Sequence, residues 1–148
     1  MKSIYNSKDN QEVIARIMQL TRNTKAKWGN TTVDYVCKHS LLELDIVFGK
    51  QEIEVNKVKK ALSTFLKNEY LKCLIYQDRQ SFYRRKREKD SDFNELKHEL
   101  IQKVGRIGSQ GKHAIMKLHH PFWGKMTYGK WDRLIYNYLD YHLRQFGV

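Results

Sequence analysis

The sequence predicts an all-α protein that forms one helical domain over residues 1–148. Three observations predict this class: long stretches rich in Leu, Lys, Glu and Gln, a single proline, and 8 glycines in 148 residues. This composition favours helices over a turn-rich β fold. A chain of this length can also bury a hydrophobic core without disulfides or metals. We therefore expect one domain with a helical core.

The first two helices are predicted from capping signals and apolar spacing. Ser7 is a candidate N-cap for a helix that ends at residues 22–24 and whose apolar residues recur at helical spacing: Val13, Ile14, Ile17 and Met18. Thr31 or Thr32 then caps a second helix that runs to about Phe48 and stops at Gly49. Apolar residues lie nearly all round this second helix, which predicts a central position.

The later helices are predicted in the same way. A third helix begins near Asn56, but residues 67–90 leave helix, strand and loop open, because their short apolar run EYLKCLIYQ suits more than one structure. Ser91 opens a fourth helix that ends near Gly105 and Gly108, and Thr127 caps the last helix. Amphipathic helices around a central one predict a helical bundle.

Cysteine usage and hydropathy predict a cytoplasmic protein. Cys37 and Cys73 each lie in an apolar stretch without a CxxC pair, so we expect reduced core thiols. The N-terminus lacks the apolar run of a signal peptide, and no stretch approaches the roughly 20 apolar residues that span a bilayer.

The net charge of +12 predicts an anionic partner. The basic excess lies in residues 50–90 and 103–133, and it would attract nucleic acid or acidic small molecules. Candidate anion-binding residues cluster in one segment: Arg84, Arg85, Lys86 and Arg87. Aromatic neighbours resemble those of single-stranded nucleic-acid binders, although a solvated loop is the alternative interpretation. Nucleotide-binding and Ser-His-Asp hydrolase motifs are absent from the sequence.

A histidine on the inner stripe of the last helix indicates a buried polar site. His142 shares its helical face with apolar and aromatic residues, and a buried imidazole needs a partner. His39 and Glu43 lie one turn apart on one face of the second helix. Across an interhelical distance of roughly 8–10 Å, two imidazoles, this carboxylate and the Tyr138 phenol would converge on a transition metal.

Residues around these four candidate ligands predict a ligand pocket. The candidate pocket residues are Tyr35, Trp131, Ile135 and His120. The alternative interpretation is a packed core in which each histidine is hydrogen-bonded and His39 and Glu43 form a plain i,i+4 pair.

Two segments carry a family resemblance. AKWGNTTVDYVCKH (residues 26–39) and HPFWGKMTYGKWDRLIYNYLDYHLRQFGV (residues 120–148) resemble the DinB/YfiT-like superfamily, in particular a branch described as a domain of unknown function that shares the ending HLRQFG. The resemblance implies an up-down-down-up four-helix bundle with inward histidines that hold a divalent metal. It also implies thiol-dependent transferase or isomerase chemistry.

Carried over by position, the first metal ligand is His39 and the last is His142. Tyr138 and Tyr141 stand where that branch has histidines. One hypothesis is therefore a metal-dependent enzyme, of the thiol-dependent transferase or hydrolase type, that uses Zn, Ni, Mn or Fe, with Glu43 as the third ligand and a small thiol or acidic compound as substrate. A vestigial site, in which His39 and Tyr138 share a hydrogen bond, is the alternative.

A second hypothesis comes from a different class of function. It is a non-catalytic binding protein, monomer or homodimer, whose basic surface engages nucleic acid or another polyanion.

Overall fold

The computed structural model describes residues 1–50, 92–120 and 124–148. Within these ranges the protein is mainly helical, as predicted. The helices are α1 (Ser7–Gln19), α2 (Val33–Val47), α3 (Phe93–Gln110) and α4 (Tyr128–Gln145), and the 3-10 helix Gly111–Ala114 follows α3. Strands β1 (His119–His120) and β2 (Gly124–Lys125) form a short antiparallel hairpin. The predicted helix near Asn56, the undecided residues 67–90 and Cys73 lie outside the described residues.

Threonine caps start two helices where the sequence predicts them. The Thr32 side chain accepts a hydrogen bond from the Tyr35 N–H, and Thr127 accepts one from the Lys130 N–H. Gly49 has a φ of 69° directly after the C-cap of α2, a left-handed conformation that favours glycine.

Four other helix ends differ from the prediction. Asn6, not Ser7, caps α1 by accepting from two backbone N–H groups, and α1 ends at Gln19 because the chain is extended at the next residue. Asp92, not Ser91, caps α3. Instead of ending at Gly105 or Gly108, α3 continues to Gln110, and Gly111 with a φ of 56° ends it.

Contacts between side chains fix the helix directions relative to α1. Asn10 donates to the Val104 carbonyl at 2.9 Å, while Lys97 reaches the Leu20 carbonyl at 3.0 Å, so α1 and α3 are antiparallel. Near the start of α1 the Ile4 N–H donates to Asp132. Arg16, further along α1, pairs with Asp140 at 2.7 Å, so α1 and α4 are parallel.

The central helix α2 runs parallel to α3. Lys103 pairs with Asp45 at 2.6 Å, and the Arg106 guanidinium lies 4.6 Å from the centre of the Phe48 ring. Twelve of the 15 residues of α2 are buried, which confirms the central position predicted from its apolar circumference.

The core is shared by all four helices. It includes Val13 and Ile17 of α1, Leu41 and Leu44 of α2, Leu100 and Val104 of α3, and Ile135, Leu139 and Leu143 of α4. Among the described residues, none of the helices is long and apolar enough to cross a membrane.

Candidate functional site

Helices α2 and α4 bring His39, Tyr138 and His142 together in the core. The Nδ1 atom of His39 shares a hydrogen bond with the Tyr138 hydroxyl, and the two ring centres are 5.3 Å apart. The Tyr138 ring also contacts the His142 ring edge-on, with centres 4.6 Å apart. The Tyr35 ring stacks on the His39 ring, with centres 5.7 Å apart. Of the four predicted ligands, the structure therefore brings three together, whereas Glu43 lies beside His120 instead; the hydrogen bond expected of a vestigial site is present.

His142 is held in place by a side chain of its own helix. Its Nδ1 atom lies 3.0 Å from Oε1 of Gln145, whose Nε2 donates to the Trp28 carbonyl at 2.9 Å. Burial lowers the pKa of His142 to about 4, the Gln145 hydrogen bond opposes this effect, and nearby His39 adds to it. The imidazole is therefore neutral at pH 7, which is the form that binds metals.

Glu43 lies beside His120, one helical turn beyond His39. Its Oε2 is 3.7 Å from Nε2 of His120, and the fully buried His120 ring lies 5.4 Å from the Trp131 ring. Within the described ranges, the other carboxylate oxygen of Glu43 and the Nε1 of Trp131 have no hydrogen-bond partner although both atoms are buried. Such groups are normally satisfied in folded proteins, so this end of the site is suited to a bound polar molecule.

The metal-ligating potential of the site is limited. In the part of the chain that the structure describes, His, Cys, Asp and Glu side chains form no group of three that could hold one ion. The possible ligands that remain are the imidazoles of His39 and His142 and the phenol of Tyr138. Tight transition-metal sites use three or four protein ligands, so these residues fit only a weakly held ion.

The remaining predicted residues have different outcomes. Ile135 is buried in the core next to the site. Arg84, Arg85, Lys86 and Arg87 lie outside the described residues, so the predicted anion-binding cluster stays a prediction.

Sequence reasoning missed Gln145 and the backbone of Trp28 as parts of the site. Both residues lie in segments that the family resemblance singles out, WGN after the first helix and HLRQFG at the end of the chain, but nothing in the sequence pairs the two segments. Gly29 supports this contact, because its φ is 76° and a Cβ there would lie 2.9 Å from Nε2 of Gln145.

Comparison with known proteins finds no matching family model, no similar curated protein and no similar solved structure.

Proposed function

We propose that this chain is a DinB-like four-helix bundle whose core contains a degenerate form of that superfamily's metal site. The helix directions support the bundle: α1 is parallel to α4 and antiparallel to α3, and α2 is parallel to α3. One observation carries the site. Tyr138, which stands where the resemblance implies a histidine, contacts both His39 and His142.

In this proposal, His39 and His142 hold a divalent Zn, Ni, Mn or Fe ion weakly, and activity depends on metal loading. Neutral imidazoles suit these metals. A phenol has an ordinary pKa of about 10, so Tyr138 is a poor ligand unless it ionises. Replacement of the third imidazole by Tyr138 therefore lowers affinity without removing the remaining two ligands.

The side chains around the ion have distinct tasks in the proposed reaction. A bound divalent ion would supply Lewis acidity, which lowers the pKa of a water or thiol. Tyr138 holds the His39 ring through its hydroxyl. The fully buried Trp131 keeps water from one end of the site, and Tyr35 stacks on His39 at the other. The open oxygen of Glu43 is the group placed to accept a proton from a small thiol or acidic substrate.

The experiment is to restore the missing imidazole with Tyr138→His. We expect the wild-type chain to retain well under one equivalent of Zn after gel filtration. Tyr138→His should retain near one equivalent. Its Zn affinity should exceed that of the wild type by more than roughly 100-fold, because loss of an outer-shell partner alone changes metal affinity by roughly 10–100-fold and the new imidazole is a direct ligand. Addition of His142→Ala should abolish the gain.

Tyr136→His is the matched control. Tyr136 lies on the same helix, and its electrostatic neighbours include Lys2, Glu12 and Arg16, so it faces α1 instead of α2. This variant should bind no more Zn than the wild type. If Tyr138→His is folded by circular dichroism and binds no more Zn than Tyr136→His, the proposed site is wrong.

A further inference from the structure

We infer that Gln145 is a positioning residue that holds the proton of neutral His142 on Nδ1 and leaves the lone pair on Nε2. The assignment of Nε2 as the metal-binding atom rests on the proposed function. The assignment of the proton rests only on the contacts around Gln145.

The Trp28 carbonyl sets the orientation of the Gln145 amide. A carbonyl oxygen can only accept, so the Gln145 atom that lies 2.9 Å from it must be the NH₂ nitrogen. The amide oxygen then faces His142 at 3.0 Å, and it too can only accept. Nδ1 of His142 must therefore be the donor, and because a neutral imidazole has one N–H, Nε2 is the acceptor.

The loop that supplies this carbonyl is fixed to the last turn of α4. The Lys27 N–H donates to the Gln145 backbone carbonyl at 2.7 Å, and Gln145 is buried, with 4% of its surface exposed. Gly29 lets the loop approach the Gln145 side chain, since a Cβ at this position would lie 2.9 Å from its amide nitrogen, and its φ of 76° also favours glycine. A flipped amide would set its oxygen against the Trp28 carbonyl oxygen, so both hydrogen bonds oppose the flip.

The opposite tautomer of His142 would place two acceptors against each other. With the proton on Nε2, the lone pair of Nδ1 would face the lone pairs of the amide oxygen. Histidines that bind metals are commonly oriented in this manner, by an outer-shell group that accepts from the second ring nitrogen. Gln145 provides that group from one turn further along the same helix.

The test is a long-range ¹H–¹⁵N correlation spectrum of the full chain, labelled with ¹⁵N in histidine and recorded at neutral pH without metal. His142 is assigned by comparison with His142→Gln. We expect a protonated Nδ1 and a bare Nε2 in the wild type. A protonated Nε2 in the wild type would overturn the inference outright, without any variant.

Three variants separate positioning from general stability. Gln145→Met keeps the length of the side chain and removes both hydrogen bonds, so His142 should shift towards a mixture of tautomers. Gly29→Ala should produce the same shift by displacing the amide. Gly111→Ala is the matched control: its φ of 56° is also positive, but no atom of the described residues outside its immediate chain neighbours lies within 4 Å of its Cβ position. It should leave the His142 signals unchanged.

The metal readout uses the Tyr138→His background. There, Gln145→Met should weaken Zn affinity by roughly 10–100-fold. If Tyr138→His binds no Zn but the tautomer result holds, the proposed function fails and the positioning role stands. If Tyr138→His binds Zn while Gln145→Met leaves the tautomer in place, the positioning role fails alone.

Discussion

Gly108→Ala should destabilise the protein, because Gly108 makes room for a buried asparagine. Asn10 is 2% exposed, and its amide nitrogen donates to the Ile4 carbonyl at 3.0 Å and to the Val104 carbonyl at 2.9 Å. A Cβ on Gly108 would lie 2.5 Å from both Cγ and Oδ1 of Asn10. An alanine there must therefore push the amide away from the two carbonyls that it joins.

The expected loss follows from three contributions. Each hydrogen bond contributes about 1 kcal/mol, and overpacking costs about 1–3 kcal/mol. Alanine returns about 1 kcal/mol of helix propensity relative to glycine. We therefore expect Gly108→Ala to lower the free energy of unfolding by about 2–4 kcal/mol.

Gly105→Ala is the matched control in the same helix. Its Cβ would lie 3.8 Å from Cδ1 of Ile14, an ordinary contact, so it should raise the free energy of unfolding by up to about 1 kcal/mol. Urea titrations followed by circular dichroism, with unchanged slopes, measure both values. In an Asn10→Ala background the penalty of Gly108→Ala should disappear. Equal stability of Gly108→Ala and Gly105→Ala in the parent chain would refute this explanation.

Three further predictions concern buried ionisable groups. Because burial lowers the pKa of His142 to about 4, its neutral form stabilises the fold above pH 6.5, and this contribution is lost as pH falls from 6.5 towards 4. The free energy of unfolding of the metal-free protein should fall by about 3 kcal/mol over that range, and His142→Gln should flatten its dependence on pH. If the variant leaves this dependence unchanged, the lowered pKa of His142 is not its cause. Lys103→Met should lower the free energy of unfolding by about 1.5–3 kcal/mol in urea titrations, since it removes the 2.6 Å ion pair with the buried Asp45, whereas Glu99→Gln, at a side chain 42% exposed, should lower it by under about 1 kcal/mol. Burial raises the pKa of Cys37 to about 12, so peptide mapping should find it unalkylated by iodoacetamide in native protein at pH 8 and fully alkylated in denaturant; rapid native alkylation would show that the thiol is accessible.

Sequence patterns predicted the helices better than their ends. The apolar circumference of α2 predicted a buried central helix, and Thr32 and Thr127 were identified as caps from their side-chain chemistry. Asn6 and Ser7 are adjacent and both are good caps, so local sequence could not decide between them. The role of Gly108 depends on Asn10, a residue of another helix, and glycine alone does not reveal such a neighbour.

The site was predictable where helical periodicity determines it. The 3.6-residue period placed Tyr138 and His142 on one face of α4, and the packing of that face against α2 brings them to His39. The contact of Gln145 with Trp28 was not predictable, because the acceptor is a backbone atom of a loop. The pairing of Glu43 with His120 depends on the hairpin that carries His120, and helical spacing contains no information about it.

Two hydrogen bonds of the site join parts of the chain that are far apart in sequence. His39 and Tyr138 are separated by 99 residues, and Trp28 and Gln145 by 117. Closing such long loops costs entropy, so these contacts are expected to form late in folding, when both ends of the chain are already docked.

This separation couples occupancy of the site to the stability of the whole chain. A ligand that bridges α2 and α4 binds only the folded state, so it raises the melting temperature, and the shift grows with the logarithm of the ligand concentration relative to its Kd. Thermal-shift screening of metals, thiols and acidic metabolites therefore measures binding at this site without an activity assay. Compounds that also raise the melting temperature of His142→Ala, in which the site lacks one of its imidazoles, bind elsewhere.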